Sequence, residues 1–110
     1  MQDYFILTQA VLTYIESHIH EEIEPKDLEQ RMCVSYSHLR EIFKRKTNVT
    51  LGKYILTRRI ANAAFDLVHT TRSATEIAFS KGFKNPDTFT RSFRRVTGCT
   101  PSEFRSRRIR

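Results

Sequence analysis

Two stretches of the chain place basic and polar side chains at helical spacing, where they could bind a partner. In the first stretch, from Tyr36 to Thr47, these outer residues are Tyr36, Ser37, Arg40, Glu41, Lys44 and Arg45. In the second, from Pro86 to Thr97, they are Asp87, Thr90, Arg91, Arg94 and Arg95. Rows of guanidinium, ammonium and hydroxyl groups form ion pairs and hydrogen bonds with anionic partners. The chemistry they indicate is recognition.

The distribution of charge indicates a polyanionic partner. The 110 residues carry a formal net charge of +7. Residues 1–41 hold three Lys or Arg and eight Asp or Glu, a net −5, whereas residues 42–110 hold sixteen and four, a net +12. Such polarity is typical of nucleic-acid-binding surfaces. A domain whose surface is merely basic is the plainer alternative.

The sequence contains no recognisable catalytic, metal-binding or membrane pattern. Cys33 and Cys99 match neither a disulfide framework nor a zinc spacing. His18 and His20 stand two residues apart, so they do not share one face of a helix. No apolar run of about eighteen residues and no signal peptide occur. We therefore predict a protein that is not an enzyme, holds no metal or other cofactor and has no membrane partner.

The stretch from Thr50 to His69 must position both basic stretches. As a helix it carries one apolar stripe of Leu56, Ile60, Ala63 and Leu67. A second stripe, about 100° around the axis, consists of Leu51, Tyr54, Ala61, Phe65 and Val68. Two apolar faces predict two packing neighbours. About twenty residues give a rod of roughly 30 Å, close to the roughly 34 Å of one turn of B-form DNA.

The segments on either side of this rod form an internal repeat. Leu28 pairs with Ile77, and Val34 with Phe83, at a separation of 49 residues. One extra residue in the second copy raises the separation to 50 for the pairs that follow: Leu39 with Phe89, Phe43 with Phe93, Thr47 with Thr97, Thr50 with Thr100, and Tyr54 with Phe104. The chain is therefore predicted to contain one structural unit twice.

Helix start and stop signals divide the chain into seven helices. Their predicted N-terminal residues are Asp3, Pro25, Ser35, Thr50, Ser73, Asn85 and Thr100. Asn48 and Gly98 follow the third and sixth helices, where left-handed backbone is common. The predicted fold is all-α, with helix-turn-helix subdomains at residues 1–48 and 73–107 and a linker helix at 50–69. The arginines at 105, 107, 108 and 110 are predicted to fray.

Each copy thus contains a short helix, a tight turn and a longer helix with a polar outer face, the arrangement by which a second helix enters the major groove of DNA. The second copy carries Ile77-Ala78, Gly82-Phe83, Phe89, Phe93-Arg94, Gly98, Thr100-Pro101 and Phe104. The first carries Leu28, Val34-Ser35, Leu39, Phe43-Lys44, Thr47 and the run from Leu51 to Ile55. On these motifs the whole chain resembles the DNA-binding domain of the AraC/XylS family of bacterial transcription regulators, especially its stand-alone MarA and SoxS type.

The resemblance implies a double helix-turn-helix protein that binds double-stranded promoter DNA as a monomer. It further implies activation of transcription through RNA polymerase, and a place in the cytoplasm on the nucleoid. The base-reading residues it implies are Ser37, Arg40, Glu41, Asp87, Thr90 and Arg91, with Tyr36 and Pro86 at the two helix entrances. Phosphate contacts would come from Ser35, Lys44, Arg45, Asn85, Arg94 and Arg95. Arg40 and Arg91 are the main candidates, because a guanidinium can bind both O6 and N7 of guanine.

Two residues of the first copy depart from the family pattern. Glu29 stands where a small residue is usual, and Cys33 stands where glycine is common. A positive φ at Cys33 would cost on the order of 1 kcal/mol, so we expect the first subdomain to be the less tightly packed. Ser37, Arg40 and Glu41 also replace the Trp, Gln and Arg of the stress-response members, so the DNA target of those members does not transfer to this chain.

An alternative function is a helical protein- or RNA-interaction module that does not read duplex DNA. The basic charge fits this alternative equally well. Sequence-specific RNA readers usually display aromatic stacking platforms, whereas the aromatic residues here fall on inward positions. A preference for duplex DNA over single strands would separate the two functions.

Overall fold

Residues 3–108 are described by the structure, a computed structural model, apart from the side chain of Arg108. Within this range the chain forms seven α-helices and no β-strand. They are α1 (Tyr4–Ser17), α2 (Pro25–Met32), α3 (Tyr36–Thr47), α4 (Leu51–His69), α5 (Ala74–Ser80), α6 (Pro86–Thr97) and α7 (Pro101–Arg108). The predicted all-α fold is confirmed. No helix in this range is long and apolar enough to cross a membrane.

Local capping explains where the helices begin. The Asp3 carboxylate accepts the N–H groups of Phe5 and Ile6 at 2.9 and 3.2 Å and so starts α1. Ser73 and Glu76 form the predicted capping box of α5. A second box starts α7: the Thr100 N–H donates to Glu103 at 2.8 Å, and the Glu103 N–H donates to the Thr100 hydroxyl at 3.2 Å.

The chain divides into two compact units, the first ending at Ile55 and the second beginning at Leu56. The core of the first unit consists of Val11, Ile15, Ile19, Leu28, Val34, Leu39, Phe43 and Leu51. The core of the second consists of Ile60, Ala63, Leu67, Ile77, Ala78, Phe83, Phe89 and Phe93. Both clusters are fully apolar, so each unit has its own hydrophobic driving force.

One predicted apolar stripe of α4 is wrong over part of its length. Ile60, Ala63 and Leu67 are buried as expected, and Leu51 is buried in the first unit. Phe65 is 63% exposed, however, and Ala61 is also exposed. Within the second unit, α4 buries the stripe of Ile60, Ala63 and Leu67 and leaves Phe65 and Ala61 exposed.

The predicted fraying of the arginine tail is also wrong where the structure describes it. Arg105 lies in α7, where its guanidinium donates to the backbone carbonyls of Leu67, Thr70 and Arg72. The first two distances are 2.9 and 3.2 Å. These carbonyls end α4 and lead into α5, so Arg105 satisfies acceptors that a helix C-terminus leaves open. The prediction for Arg110 lies outside the described residues.

Candidate nucleic-acid interface

Helix α3 presents an exposed polar face above a buried apolar one. Leu39, Ile42 and Phe43 are at most 2% exposed and fix the helix on the core. The predicted site residues Ser35, Ser37, Arg40, Glu41, Lys44 and Arg45 are all exposed, and Tyr36 is half-buried. The 3.6-residue period of the helix alone produces this division.

The charged groups on α3 also contact one another. The Arg40 guanidinium lies 5.9 Å from the centre of the Tyr36 ring, within cation–π range. Arg45 pairs with Glu41 at 2.7 Å, and both side chains are more than 60% exposed. Because such exposed pairs contribute about 1 kcal/mol or less, Glu41 and Arg45 can exchange this contact for one with a ligand.

A surface depression of about 320 Å³ lies beside α3. It is lined by Ser37, Arg40, Glu41 and Lys44 together with Thr50 and Leu51. Thr50 caps α4 by accepting the N–H of Lys53 at 3.2 Å. Four predicted site residues of the first copy are therefore brought together around one concave surface.

Helix α6 repeats the same division in the second unit. Phe89 and Phe93 are at most 1% exposed. Ser92, which directly precedes Phe93, is also buried. The predicted site residues Asn85, Asp87, Thr90, Arg91, Arg94 and Arg95 are exposed, and Pro86 is half-buried. Asn85 caps the helix by accepting the Thr88 N–H at 2.8 Å. The sequence repeat is thus a repeat of surface chemistry as well.

Left-handed backbone occurs before and after α3 and α6, at equivalent positions of the two copies. Cys33 has φ 56°, and its equivalent Gly82 has φ 92°. Asn48 and its equivalent Gly98 have φ 64° and 89°. Left-handed backbone therefore occurs at matching points of both copies, and Cys33 adopts the positive φ whose cost was considered from the sequence.

Sequence reasoning marked Glu29 as a departure but assigned it no contact. In the structure its Oε2 atom accepts the backbone N–H of Tyr36, the first residue of α3, at 2.6 Å. Sequence reasoning also missed the ion pair between Lys81 and Asp66 at 2.9 Å, in which both side chains are less than 20% exposed. The sequence did contain a signal for the Glu29 contact. Glu29 is a carboxylate that precedes α3, and α3 begins with Tyr36, whose backbone N–H needs an acceptor, rather than with proline.

The groups exposed on these two faces are guanidinium, ammonium, hydroxyl and carboxylate groups, which form ion pairs and hydrogen bonds. Within residues 3–108, no group of three or more His, Cys, Asp or Glu side chains is placed to hold a metal ion. Both cysteines are free thiols, with Cys33 exposed and Cys99 buried. One carboxyl group away from the two faces has a shifted pKa: the backbone N–H of Thr100, followed by the Thr100 hydroxyl, lowers the pKa of Glu103.

Known proteins are similar to this chain in both sequence and fold. Residues 28–107 match a family model described as a helix-turn-helix domain. An uncharacterized HTH-type transcriptional regulator of Bacillus subtilis, YbfP, is 33% identical over 98 residues, which cover 89% of this chain and 33% of the relative. A putative HTH-type transcriptional regulator of Escherichia coli, YkgA, is 33% identical over 101 residues, covering 92% and 42%. The chain thus spans less than half the length of these relatives.

Two solved structures extend the similarity. The DNA-binding domain of the transcriptional factor AdpA, in complex with a target DNA, superposes with a TM-score of 0.84 at 25% identity, covering 91% of this chain and 90% of that one. A Chromobacterium violaceum regulator of the AraC-type DNA-binding class has a TM-score of 0.84 at 26% identity, with coverages of 93% and 91%. The chain belongs to the AraC family of helix-turn-helix DNA-binding domains, a family of transcription regulators and not of enzymes.

Proposed function

We propose that this chain binds double-stranded promoter DNA in a sequence-specific manner, with α3 and α6 each entering a major groove. The observation that carries the proposal is the duplicated face: each helix buries one side on its own core and exposes arginine and polar groups at equivalent positions. The target DNA in the AdpA complex supports the same function for a similar fold. Helix α4 has 19 residues, about 28 Å at about 1.5 Å per residue, which is comparable to one DNA turn.

The proposed division of labour follows the position of each side chain on its helix. Arg40 and Arg91 would bind guanine edges, with Ser37, Glu41, Asp87 and Thr90 contacting neighbouring bases. Lys44, Arg45, Arg94 and Arg95, farther along the helices, would bind phosphate together with Ser35 and Asn85 at the helix starts. Tyr36 and Pro86 would border the entrances. We propose that one monomer binds an asymmetric site by this arrangement.

Selection of bound duplexes from a random DNA pool tests the proposal. The selected duplex is then titrated with wild-type protein, Arg40→Ala and Arg91→Ala. We expect two short specified blocks about 10 base pairs apart. Each substitution should relax one block and weaken binding by about 1 to 3 kcal/mol. Arg31→Ala is the matched control, because Arg31 lies on α2, outside both proposed faces, and contacts only the Tyr14 ring among the described interactions.

Three outcomes would revise the proposal. A single specified block would mean that one helix reads bases while the other binds only phosphate. A twofold symmetric site occupied by two chains would contradict monomer binding. Absence of any enriched duplex, with single-stranded RNA bound equally well, would favour the interaction-module alternative.

We further propose that the protein activates transcription through RNA polymerase and acts on the nucleoid. Glu21, Glu22 and Glu24 form an exposed acidic connector between α1 and α2, and none of them is a residue of α3 or α6. Reversing these three charges should reduce transcription from a target promoter without weakening DNA binding. Unchanged transcription would contradict this role, and equal loss of DNA binding would place the connector in the DNA interface instead.

A further inference from the structure

Glu29 connects the first helix of the first copy to the start of its recognition helix. Its carboxylate accepts the Tyr36 N–H at 2.6 Å, in a contact that is partly buried. This N–H is one of those that a helix leaves without an internal partner. Ser35 satisfies the N–H of the third helical residue, because its hydroxyl accepts the His38 N–H at 3.2 Å. A negative charge of the protein itself therefore lies against the positive end of the α3 dipole.

The second copy shows that the fold does not require this contact. The equivalent of Glu29 is Ala78, which is 0% exposed and has no polar side-chain group. The equivalent of Tyr36 is Pro86, which has no N–H to satisfy. Asn85 alone caps α6 through the Thr88 N–H. The carboxylate and the donor it satisfies are thus both specific to the first copy.

We propose that Glu29 raises the sequence specificity of the first helix-turn-helix by occupying the anion-binding position at the start of α3. Helix N-terminal N–H groups commonly bind phosphate, and such contacts carry no sequence information. The Glu29 carboxylate takes up the Tyr36 N–H and repels a phosphate that approaches it. Binding by α3 then depends more on base contacts, with Arg40 as the main one. The inference rests on the proposed DNA binding.

In this role Glu29 is a positioning residue that acts through α3 and does not itself touch DNA. Glu29 also limits the phosphate contact proposed for Ser35 to its hydroxyl group. This hydroxyl accepts the His38 N–H and can still donate to a phosphate. The second copy has no carboxylate at the position of Glu29; the acidic residue in the first turn of α6 is Asp87, which is exposed.

The test compares the full chain with Glu29→Ala and with Glu24→Gln. Glu24 is exposed and belongs to the same unit; it is the N-cap residue of α2 but forms no side-chain cap bond, so its substitution removes a charge without removing a hydrogen bond. Binding to the selected duplex and to a random-sequence duplex is measured between about 50 and 200 mM salt. We expect Glu29→Ala to steepen the slope of log K against log salt by about 0.9, the effect of one added phosphate contact. Glu24→Gln should leave the slope unchanged.

The ratio of selected to random affinity is the second measurement. It should fall roughly 1.5- to 5-fold in Glu29→Ala, a range typical of one exposed charge pair, and stay constant in Glu24→Gln. A wild-type slope and ratio in Glu29→Ala would mean that Glu29 is only a helix cap, and would overturn the inference while DNA binding itself stands. If the wild-type protein binds no duplex, the inference falls together with the proposed function.

A second variant keeps the test decisive if Glu29→Ala fails to fold. Glu29→Gln retains an oxygen that can accept the Tyr36 N–H but removes the charge. It should tighten binding to random duplex relative to Glu24→Gln, because only Glu29 contacts the start of α3. Equal effects of the two glutamine variants would overturn the inference. The Tyr36 amide proton resonance, measured by NMR, reports whether each variant keeps the hydrogen bond.

Discussion

The two helix-turn-helix copies use the same hydrogen bonds to end their recognition helices. The Thr47 hydroxyl contacts the carbonyls of Phe43 and Val49 at 2.7 and 3.1 Å, and accepts the Val49 N–H at 3.2 Å. The Thr97 hydroxyl makes the same three contacts with Phe93 and Cys99, at 2.8, 3.0 and 3.3 Å. Since the bonds match atom for atom, the repeat preserves geometry as well as residue type.

The copies differ in how they adopt left-handed backbone. The first uses Cys33 and Asn48 where the second uses Gly82 and Gly98. A side chain makes this conformation costly, whereas glycine adopts it without steric penalty. The fold therefore dictates the conformation at these positions, and the first copy holds it with less suitable residues. Stability is consequently expected to be unequal between the two units.

Truncation of the equivalent core aromatics should give the largest effect. Phe43→Ala and Phe93→Ala should each destabilise the protein by about 3 to 5 kcal/mol, because both rings are at most 1% exposed. Phe93 packs against two rings, Phe89 at 5.6 Å and Phe104 at 5.4 Å, whereas Phe43 packs against Tyr54 at 5.6 Å. The Phe93 variant should therefore cost more. Urea unfolding measures both, with Phe→Leu controls, and a smaller cost at Phe93 would contradict this ranking.

Hydrogen exchange should rank the two units directly. We expect amides in residues 73–97 to exchange more slowly than those in residues 25–47. The difference should be about 1 kcal/mol in opening free energy, the size of one left-handed penalty at Cys33. Native-state exchange followed by NMR measures this quantity. Stronger protection of residues 25–47 would contradict the expectation that the first unit is the less stable one.

Exchanging residues at the second left-handed position should give effects of similar or smaller size. Gly98→Ala is expected to cost about 1 kcal/mol from backbone strain alone, because a Cβ there would meet no atom within 4 Å. Gly98→Asn, which copies the first unit, should cost less. In the first unit, Asn48→Ala should lower stability, whereas Asn48→Gly should leave it nearly unchanged. Thermal unfolding distinguishes these, and equal costs for Ala and Asn at position 98 would contradict the backbone explanation.

The smallest effect should come from the Thr100–Glu103 capping box at the start of α7. The equivalent helix start in the first unit, at Thr50, lacks the glutamate. Glu103 follows Thr100, whereas Lys53 follows Thr50 at the equivalent distance. The lowered pKa of Glu103 means that its carboxylate stabilises the fold at neutral pH and that this stabilisation is lost as pH falls through the lowered pKa. Glu103→Gln should therefore reduce stability slightly at pH 7, and this difference should disappear as the pH falls below the lowered pKa of Glu103. Unfolding curves across that range check the sign.

Much of the secondary structure was predictable because its determinants are local. Caps such as Ser35, Asn85 and Thr100 act on N–H groups two or three residues away, so their sequence spacing carries the information. Apolar periodicity likewise predicted the buried faces of α3 and α6. The same period predicted that the candidate site residues are exposed, because they lie on the side of the helix opposite the buried apolar residues.

Contacts between distant residues were decided by the tertiary structure. Arg105 reaches carbonyls 33 to 38 residues away, which turned a predicted frayed tail into an anchored helix. Phe65 is 63% exposed because the second unit covers only one stripe of α4, although its residue type suggested burial. The Glu29 contact with Tyr36 depends on the angle between two helices.

The sequence by itself therefore determined the helices, the duplication and the residues of the two outer faces. Capping and hydrophobic periodicity act within a few residues, and a repeat needs no knowledge of packing to be detected. Tertiary structure alone decided that the Glu29 carboxylate meets the start of α3 and that Phe65 stays exposed. Those contacts depend on how helices pack, and packing is a property of the whole folded unit.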